Sequence, residues 1–247
     1  MKPDLPTVAP STVEDSVSEF MLRTRAAERP ANPLVSCLVP AFNEEGNILP
    51  MLDTLHTLMK GMHLRHELIV VDDGSTDATG ELVAALAQED ARVHLLRRRG
   101  GGISAAMNAG LALATAPFVA RLDSDDLSAP DRHARQLAHF LAHPETVACS
   151  GAHREIAANG RATGHLHRPP TDVRSDAFQT PAQEPPLTQP FFMARRAALR
   201  AVGGYRALPV SEDSDLYWRL EEIGKLDILP EVLGSYRMHA GSISSAS

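Results

Sequence analysis

Three carboxylates fall within four residues at Asp123-Ser124-Asp125-Asp126, directly after Arg121-Leu122 and the apolar run over residues 117–120. Like charges that close repel each other, and a fold keeps them together where a cation compensates them. Hard oxygen ligands in this arrangement suit Mg2+ or Mn2+, ions commonly shared with substrate phosphates. The plainer alternative is a solvated acidic turn that caps the next helix. These residues alone leave both open.

Five other stretches could join such a site. Val39-Pro40-Ala41-Phe42-Asn43-Glu44 leaves an apolar run and turns, either over a ligand or as an ordinary loop with Asn43 or Asn47 as helix cap. In Asp72-Asp73-Gly74-Ser75-Thr76-Asp77, Gly74 permits a tight turn and Thr76 or Asp77 suits a cap. That leaves Asp72 and Asp73 able to accept a base N–H or a ribose hydroxyl. Gly100-Gly101-Gly102-Ile103-Ser104 precedes a helical pattern, where backbone N–H groups suit a phosphate. It is neither the spaced glycine fingerprint of a dinucleotide site nor a P-loop. At least two of Arg97, Arg98 and Arg99 read as a solvated edge.

Ser211-Glu212-Asp213-Ser214-Asp215 opens a late helix, and acidic residues in a first turn are stabilised by the helix dipole. Asp215 and Arg219 stand at i and i+4 and read as an ion pair. Glu212 and Asp213 remain as candidates for a general base, and Trp218 or Tyr217 could wall a sugar, although core packing fits either ring better. Tyr236-Arg237-Met238-His239 ends with an imidazole that suits Mn2+.

These groups need a scaffold. Apolar runs over residues 34–39, 68–71, 93–96 and 118–122 alternate with amphipathic helical patterns. Near-continuous hydrophobic strands between helices predict an α/β fold, a mostly parallel sheet covered on both faces. In such sheets ligands bind beyond the carboxyl ends of the strands. The Asn43, Asp72, Gly100 and Asp123 segments all follow strands and should gather on one rim. Further on, residues 164–190 carry six prolines and predict a long loop; helices are expected over 194–202 and 212–223, and closing strands over 226–229 and 232–236. Residues 1–32 are proline-punctuated, with Val13, Val17, Phe20 and Met21 on one face of a possible short helix.

Bulk properties narrow the class. The 247 residues are 43% hydrophobic, enough for a sizeable core, and the net charge of −7 argues against a nucleic-acid binder with a basic face. There is no 18-residue apolar run and no signal-peptide core, and the two cysteines, Cys37 and Cys149, lack metal or redox spacing. A soluble cytoplasmic protein is expected, with peripheral membrane association open.

In this order the motifs resemble the inverting, metal-dependent glycosyltransferases of family 2, which have the GT-A fold. The resemblance runs from about residue 34 to 244. It is carried by residues 119–126 with Pro130-Asp131-Arg132, Gln136 and His143-Pro144, then by Asn108-Ala109-Gly110-Leu111, Gly203-Gly204-Tyr205, Glu212-Asp213, Asp215-Leu216 and Tyr236-Arg237 with His239. It implies one GT-A domain over 33–247, with a nucleotide-binding half to about 126 and an acceptor half beyond. It further implies that Asp72 contacts the nucleobase and that Pro40, Phe42 and Glu44 shape the nucleoside pocket. Gly102 and Asp123 would lie along the donor, Asp125 and His239 would hold Mn2+ or Mg2+, and Asp213 would be the base. Glu212 and Trp218 would face the acceptor. The implied reaction moves one sugar from a nucleotide-diphosphate donor, expected to be UDP-linked, to a carbohydrate, lipid-linked or other hydroxyl. One departure stands out: Met107 occupies a place where many relatives carry arginine. Two competing readings are a sugar nucleotidyltransferase and a non-catalytic nucleotide-binding protein. The first should carry a glycine-rich, basic phosphate loop where Asn43-Glu44-Glu45 stands.

Overall fold

Strands that are apolar on both sides need cover on both sides, and the chain supplies it by alternating strand and helix. The computed structural model describes residues 33–61, 63–172, 175, 183–208 and 211–239. The helix expected near the N-terminus and much of the proline-rich segment lie outside the described residues. Strands β1 (Val35–Ala41), β2 (His66–Asp72), β3 (Val93–Arg97) and β4 (Phe118–Arg121) alternate with helices α1 (Ile48–Gly61), α2 (Thr79–Glu89) and α3 (Ile103–Leu113). After β4 come β5 (Leu127–Ser128), α4 (Arg132–Ala142), β6 (Thr146–Ala157), β7 (Ala162–His167), β8 (Met193–Arg195), α5 (Arg196–Ala201), α6 (Glu212–Glu221) and β9 (Lys225–Met238).

The strands form one sheet in the order β3-β2-β1-β4-β8-β6-β9-β5, with β7 on β6. The pairs β3–β2, β2–β1, β1–β4 and β6–β9 are parallel; β8 runs against both β4 and β6. Period-two alternation divides the core between the two faces. Val35, Cys37 and Val39 pack with Ile48, Leu52, Leu55 and Met59 of α1, and with Phe140 of α4. Leu38, Ile69 and Val71 pack with Met107 and Leu111 of α3 and with Leu216 and Leu220 of α6. Met107 is a core side chain.

The first half is built as its pattern predicts, and the second half corrects three expectations. The helix expected over 194–202 begins as strand β8 and becomes helical only at Arg196. The two closing strands merge into the single β9, whose register against β6 shifts between Gly151 and Ala152, opposite Leu229 and Val232. β6 went unread because Thr146-Val147-Ala148-Cys149-Ser150-Gly151 is buried yet built mainly of small residues, with no hydrophobic run to announce it. The loop expected from residue 164 opens inside β7, an exposed edge strand lacking a buried face.

Candidate active site

The aspartates after β4 occupy a tight turn closed by the Asp126 N–H, which donates to the Asp123 carbonyl at 3.1 Å. The three carboxylates meet three different fates. Asp123 is held by Arg121, whose Nε donates to Oδ1 at 2.7 Å and whose Nη2 lies 3.3 Å from Oδ2. Asp125 presents Oδ2 to the His239 Nε2 at 2.9 Å, across 114 residues of sequence. Asp126 is fully buried and accepts the Arg237 N–H on Oδ1 at 2.7 Å. Its Oδ2 has no hydrogen-bond partner among the described residues. Burial, reinforced by Asp123 and Asp125, pushes the Asp126 carboxyl up to about 9.

Glu44 lies beside this pair. Burial raises its carboxyl above the usual value; Asp125 adds to the rise, while Asn47, His239 and Ser124 oppose it. The family resemblance implies a nucleoside-pocket role for Glu44; the structure sets it within electrostatic reach of Asp125 and His239.

The loops after β1 and β2 lock reciprocally. The Asn43 N–H donates to Ser75 Oγ at 2.9 Å, and Asn43 Oδ1 accepts the Thr76 N–H at 2.8 Å. Asn43 adopts φ 57°, a left-handed conformation that asparagine tolerates. The Ala78 N–H donates to Glu45 Oε2 at 3.1 Å, and the Glu45 N–H returns to Asp77 Oδ2 at 3.2 Å. Asp77 also accepts the Thr79 N–H at 3.0 Å, but it stands one residue before the N-cap position, Ala78, so the side-chain cap expected of Thr76 or Asp77 does not form.

Asp72 is buried, accepts the Ser75 N–H at 2.9 Å and lies 3.3 Å from Arg97 Nε. Asp73 accepts the Gly102 N–H at 2.7 Å and pairs with Arg98 Nη1 at 3.2 Å. The Gly102 N–H assigned to a phosphate is thus engaged by Asp73 in this structure. Arg97 and Arg99 are exposed, as two of the three arginines were expected to be, yet Arg97 and Arg98 also neutralise Asp72 and Asp73. Pro40 is half-buried, and the Phe42 ring is 59% exposed on the rim, a large apolar surface left to water.

On the other side, Ser211 (φ 60°) turns the chain into α6, and Glu212 and Asp213 are half-buried in its first turn. Asp213 Oδ1 accepts the Ser214 N–H at 2.9 Å. The expected Asp215–Arg219 pair forms at 2.6 Å, and Arg219 also donates to the Val202 carbonyl. Tyr217 is buried, as core packing predicts, with its hydroxyl donating to Gln189 Oε1; Trp218 is half-buried. Gln189 Nε2 in turn donates to the Tyr205 hydroxyl at 3.3 Å. Arg121 acts electrostatically on both tyrosines, and Asp213 acts on Tyr217. A buried polar bridge thus runs from the Asp123 support to the helix carrying Asp213.

Sequence reading missed Arg121, Gln189 and Arg237 as parts of the site. Arg121, two residues before Asp123, and Arg237, two before His239, carried a local signal; Gln189 carried none. Two motifs read separately turn out to be partners. Asn108 Nδ2 donates to the Tyr205 carbonyl at 2.7 Å, and its Oδ1 accepts the Tyr205 N–H at 2.8 Å. A Cβ at Gly204 would come 2.4 Å from that Asn108 oxygen, so only glycine fits.

The family model for glycosyl transferase family 2 matches residues 36–203, more than half of the chain. This chain belongs to glycosyl transferase family 2. The match places it among glycosyltransferase enzymes, with the GT-A fold expected for the family. It is 28% identical over 214 residues to the chondroitin synthase of Pasteurella multocida, covering 86% of this chain and 21% of the relative. It is 28% identical over 213 residues to the amylovoran biosynthesis glycosyltransferase AmsE of Erwinia amylovora, covering 85% and 77%. Among solved structures, S. aureus TarS (residues 1–349, in complex with UDP-GlcNAc) superposes with TM-score 0.65 at 19% identity, covering 86% of this chain and 61% of that one. The mannosyltransferase PcManGT of Pyrobaculum calidifontis, in complex with GDP-Man and Mn2+, superposes with TM-score 0.66 at 20% identity, covering 93% and 64%. The family 2 chain thus spans about a fifth of the Pasteurella synthase and about three fifths of these solved chains. Asp213 and His239 lie beyond the matched segment. No described helix is long and apolar enough to cross a membrane.

The donor set suits a hard divalent cation. One carboxylate oxygen and one imidazole nitrogen stand 2.9 Å apart, with Glu44 adding negative charge beside them. Among the described residues no group of three or more histidine, cysteine or acidic side chains could hold a metal alone. The protein would thus supply two ligands and leave the rest to water and substrate phosphate, the usual division for Mg2+ and Mn2+.

Proposed function

We propose that this chain transfers a single sugar from a nucleoside diphosphate sugar, UDP-linked in the first instance, to an acceptor hydroxyl, with inversion at the anomeric carbon. The carrying observation is the Asp125–His239 pair, 114 residues apart in sequence and 2.9 Å apart on the rim. The ligands named for the two structural neighbours support a nucleoside diphosphate sugar, and the AmsE likeness supports an acceptor in polysaccharide assembly.

The residues divide the work. The exposed Phe42 ring and Pro40 offer a stacking face for the base, and Asp72 holds the Ser75 turn beneath it. Arg121 holds the Asp123 carboxylate in place, toward the ribose. Asp125 and His239 would hold Mn2+ or Mg2+, which when bound supplies Lewis-acid neutralisation of the departing diphosphate. Asp213 takes the proton of the acceptor hydroxyl as it attacks, with Glu212 and Trp218 lining that side. General-base catalysis of this kind contributes roughly 10²- to 10⁴-fold. Base and leaving group act from opposite faces of the anomeric carbon, and inversion follows.

Calorimetric titration of UDP with and without Mn2+ tests this reading. UDP binding that strengthens with Mn2+ in the wild type and not in Asp125→Ala is the expected result. Binding indifferent to both metal and substitution removes the Asp125 assignment. Transfer from UDP-sugars, followed by NMR of the product anomer, tests inversion.

A further inference from the structure

His239 is the group whose position the sheet alone does not explain. The ladder between β6 and β9 ends with Ala157 opposite Met238, so His239 lies one residue beyond the last paired position. Its Nε2 meets Asp125 Oδ2 at 2.9 Å. That contact cannot set the spacing of a metal-binding pair, because a cation entering between the two groups breaks it. The spacing needs bonds that survive cation entry.

Two such bonds cross between the same segments. The Arg237 N–H donates to Asp126 Oδ1 at 2.7 Å, and Arg237 Nε donates to the Asp125 main-chain carbonyl at 2.7 Å. Arg237 Nη1 extends further, to the Ala158 carbonyl at 3.0 Å and the Ala157 carbonyl at 3.4 Å in the turn between β6 and β7. Arg237, one residue before the end of β9, and His239, just past it, both reach the aspartate turn. Asp126 is fully buried and Arg237 half-buried. A buried polar group is costly unless it is hydrogen-bonded, and the Asp126 carboxyl bonds to the segment carrying His239.

We propose that Asp126 and Arg237 are positioning residues, which clamp the aspartate turn to the end of β9 and set the distance between Asp125 and His239. The proposal rests on the reading of Asp125 and His239 as metal ligands. It gives the third aspartate a role separate from coordination: its oxygen holds the frame while its neighbour holds the ion. Ligands of a functional site must be kept within about 0.5 Å of working geometry by supporting hydrogen bonds, and these bonds join the two segments beyond the β5–β9 ladder, which pairs Leu127 with Ser235 and Ser128 with Gly234.

The test is Mn2+ binding to the full chain, by electron paramagnetic resonance of free Mn2+ and by calorimetry, with a thermal melt of each variant. Arg237→Leu and Asp126→Leu should weaken Mn2+ binding roughly 10- to 100-fold, the usual cost of losing a ligand's supporting partner. Asp126→Asn keeps the Oδ1 acceptor and should stay within about threefold of the wild type, as expected if the acceptor and not the charge matters. UDP binding measured without metal should not change in Arg237→Leu. If Asp125→Ala loses Mn2+ while Arg237→Leu binds it like the wild type, the clamp is overturned and the ligand reading stands. If Asp125→Ala itself binds Mn2+ like the wild type, the ligand reading fails and the clamp falls with it. An Asp126→Asn variant as weak as Arg237→Leu overturns the acceptor role. Should Asp126→Leu not fold, Arg237→Leu decides.

Discussion

The two halves of the rim are held together by different means. On one side, neighbouring loops lock each other: Asn43 with Ser75 and Thr76, Glu45 with Asp77 and Ala78, Asp73 with Gly102. These partners lie about thirty residues apart and leave consecutive parallel strands of one motif. The other half supplies its groups singly, each tied back over a long span. His239 reaches Asp125 across 114 residues, and Asn108 reaches Tyr205 across 97. The loops after β1, β2 and β3 are therefore tied by local topology, whereas the half carrying Asp213 and His239 depends on a few long-range ties. The family model follows the same division, ending at residue 203 before Asp213 and His239.

Substitutions in each half should separate binding from chemistry. The largest effect is expected from Asp213→Ala, which should lower turnover roughly 10²- to 10⁴-fold while UDP affinity stays within about threefold. Undiminished turnover would move the base elsewhere. Phe42→Ala removes the exposed ring on the rim; losing a base-stacking contact costs about 1–3 kcal/mol, so UDP affinity should fall about tenfold with no change in melting temperature. Unaltered affinity would take Phe42 out of the donor site.

Asn108→Ala cuts one tie between the halves and leaves the Tyr205 N–H and carbonyl unpaired. Such orphaned groups cost about 1–3 kcal/mol, and in a domain of this size each kcal/mol lowers the melting temperature by about 2–4 °C. A melt indistinguishable from the wild type would show that the tie carries no stability.

The smallest effect concerns acid. His153 is buried on β6 against His167, Phe191 and Tyr236, and burial, with His167 adding to it, lowers its pKa to about 4. Its unfolded-state value lies near 6.5, so between pH ~6.5 and ~4 the unfolded chain binds a proton that the native state does not. Stability therefore falls with pH in that window, by at most ~1.4 kcal/mol per pH unit from this group. His153→Phe should flatten the melting-temperature profile between pH 6.5 and 4. A slope unchanged by the substitution would assign the acid sensitivity to other groups.

Sequence alone determined the alternating first half, because buried parallel strands need apolar side chains on both faces and the intervening helices need an apolar stripe. It also determined that the polar groups after those strands share a rim, since parallel strands end on the same side. The Asp215–Arg219 pair was legible too, because helix geometry brings residues four apart onto one face. Tertiary structure decided the rest. β6 is buried through small residues that carry no hydrophobic run, so only its neighbours β8 and β9 reveal it as a strand. The three aspartates have equal chemistry in sequence; one becomes an ion pair with Arg121, one a partner of His239 and one a buried anchor for Arg237. Periodicity says which side of a strand a residue faces. The partner it meets across the sheet depends on register, which all the paired strands set together and no local pattern encodes.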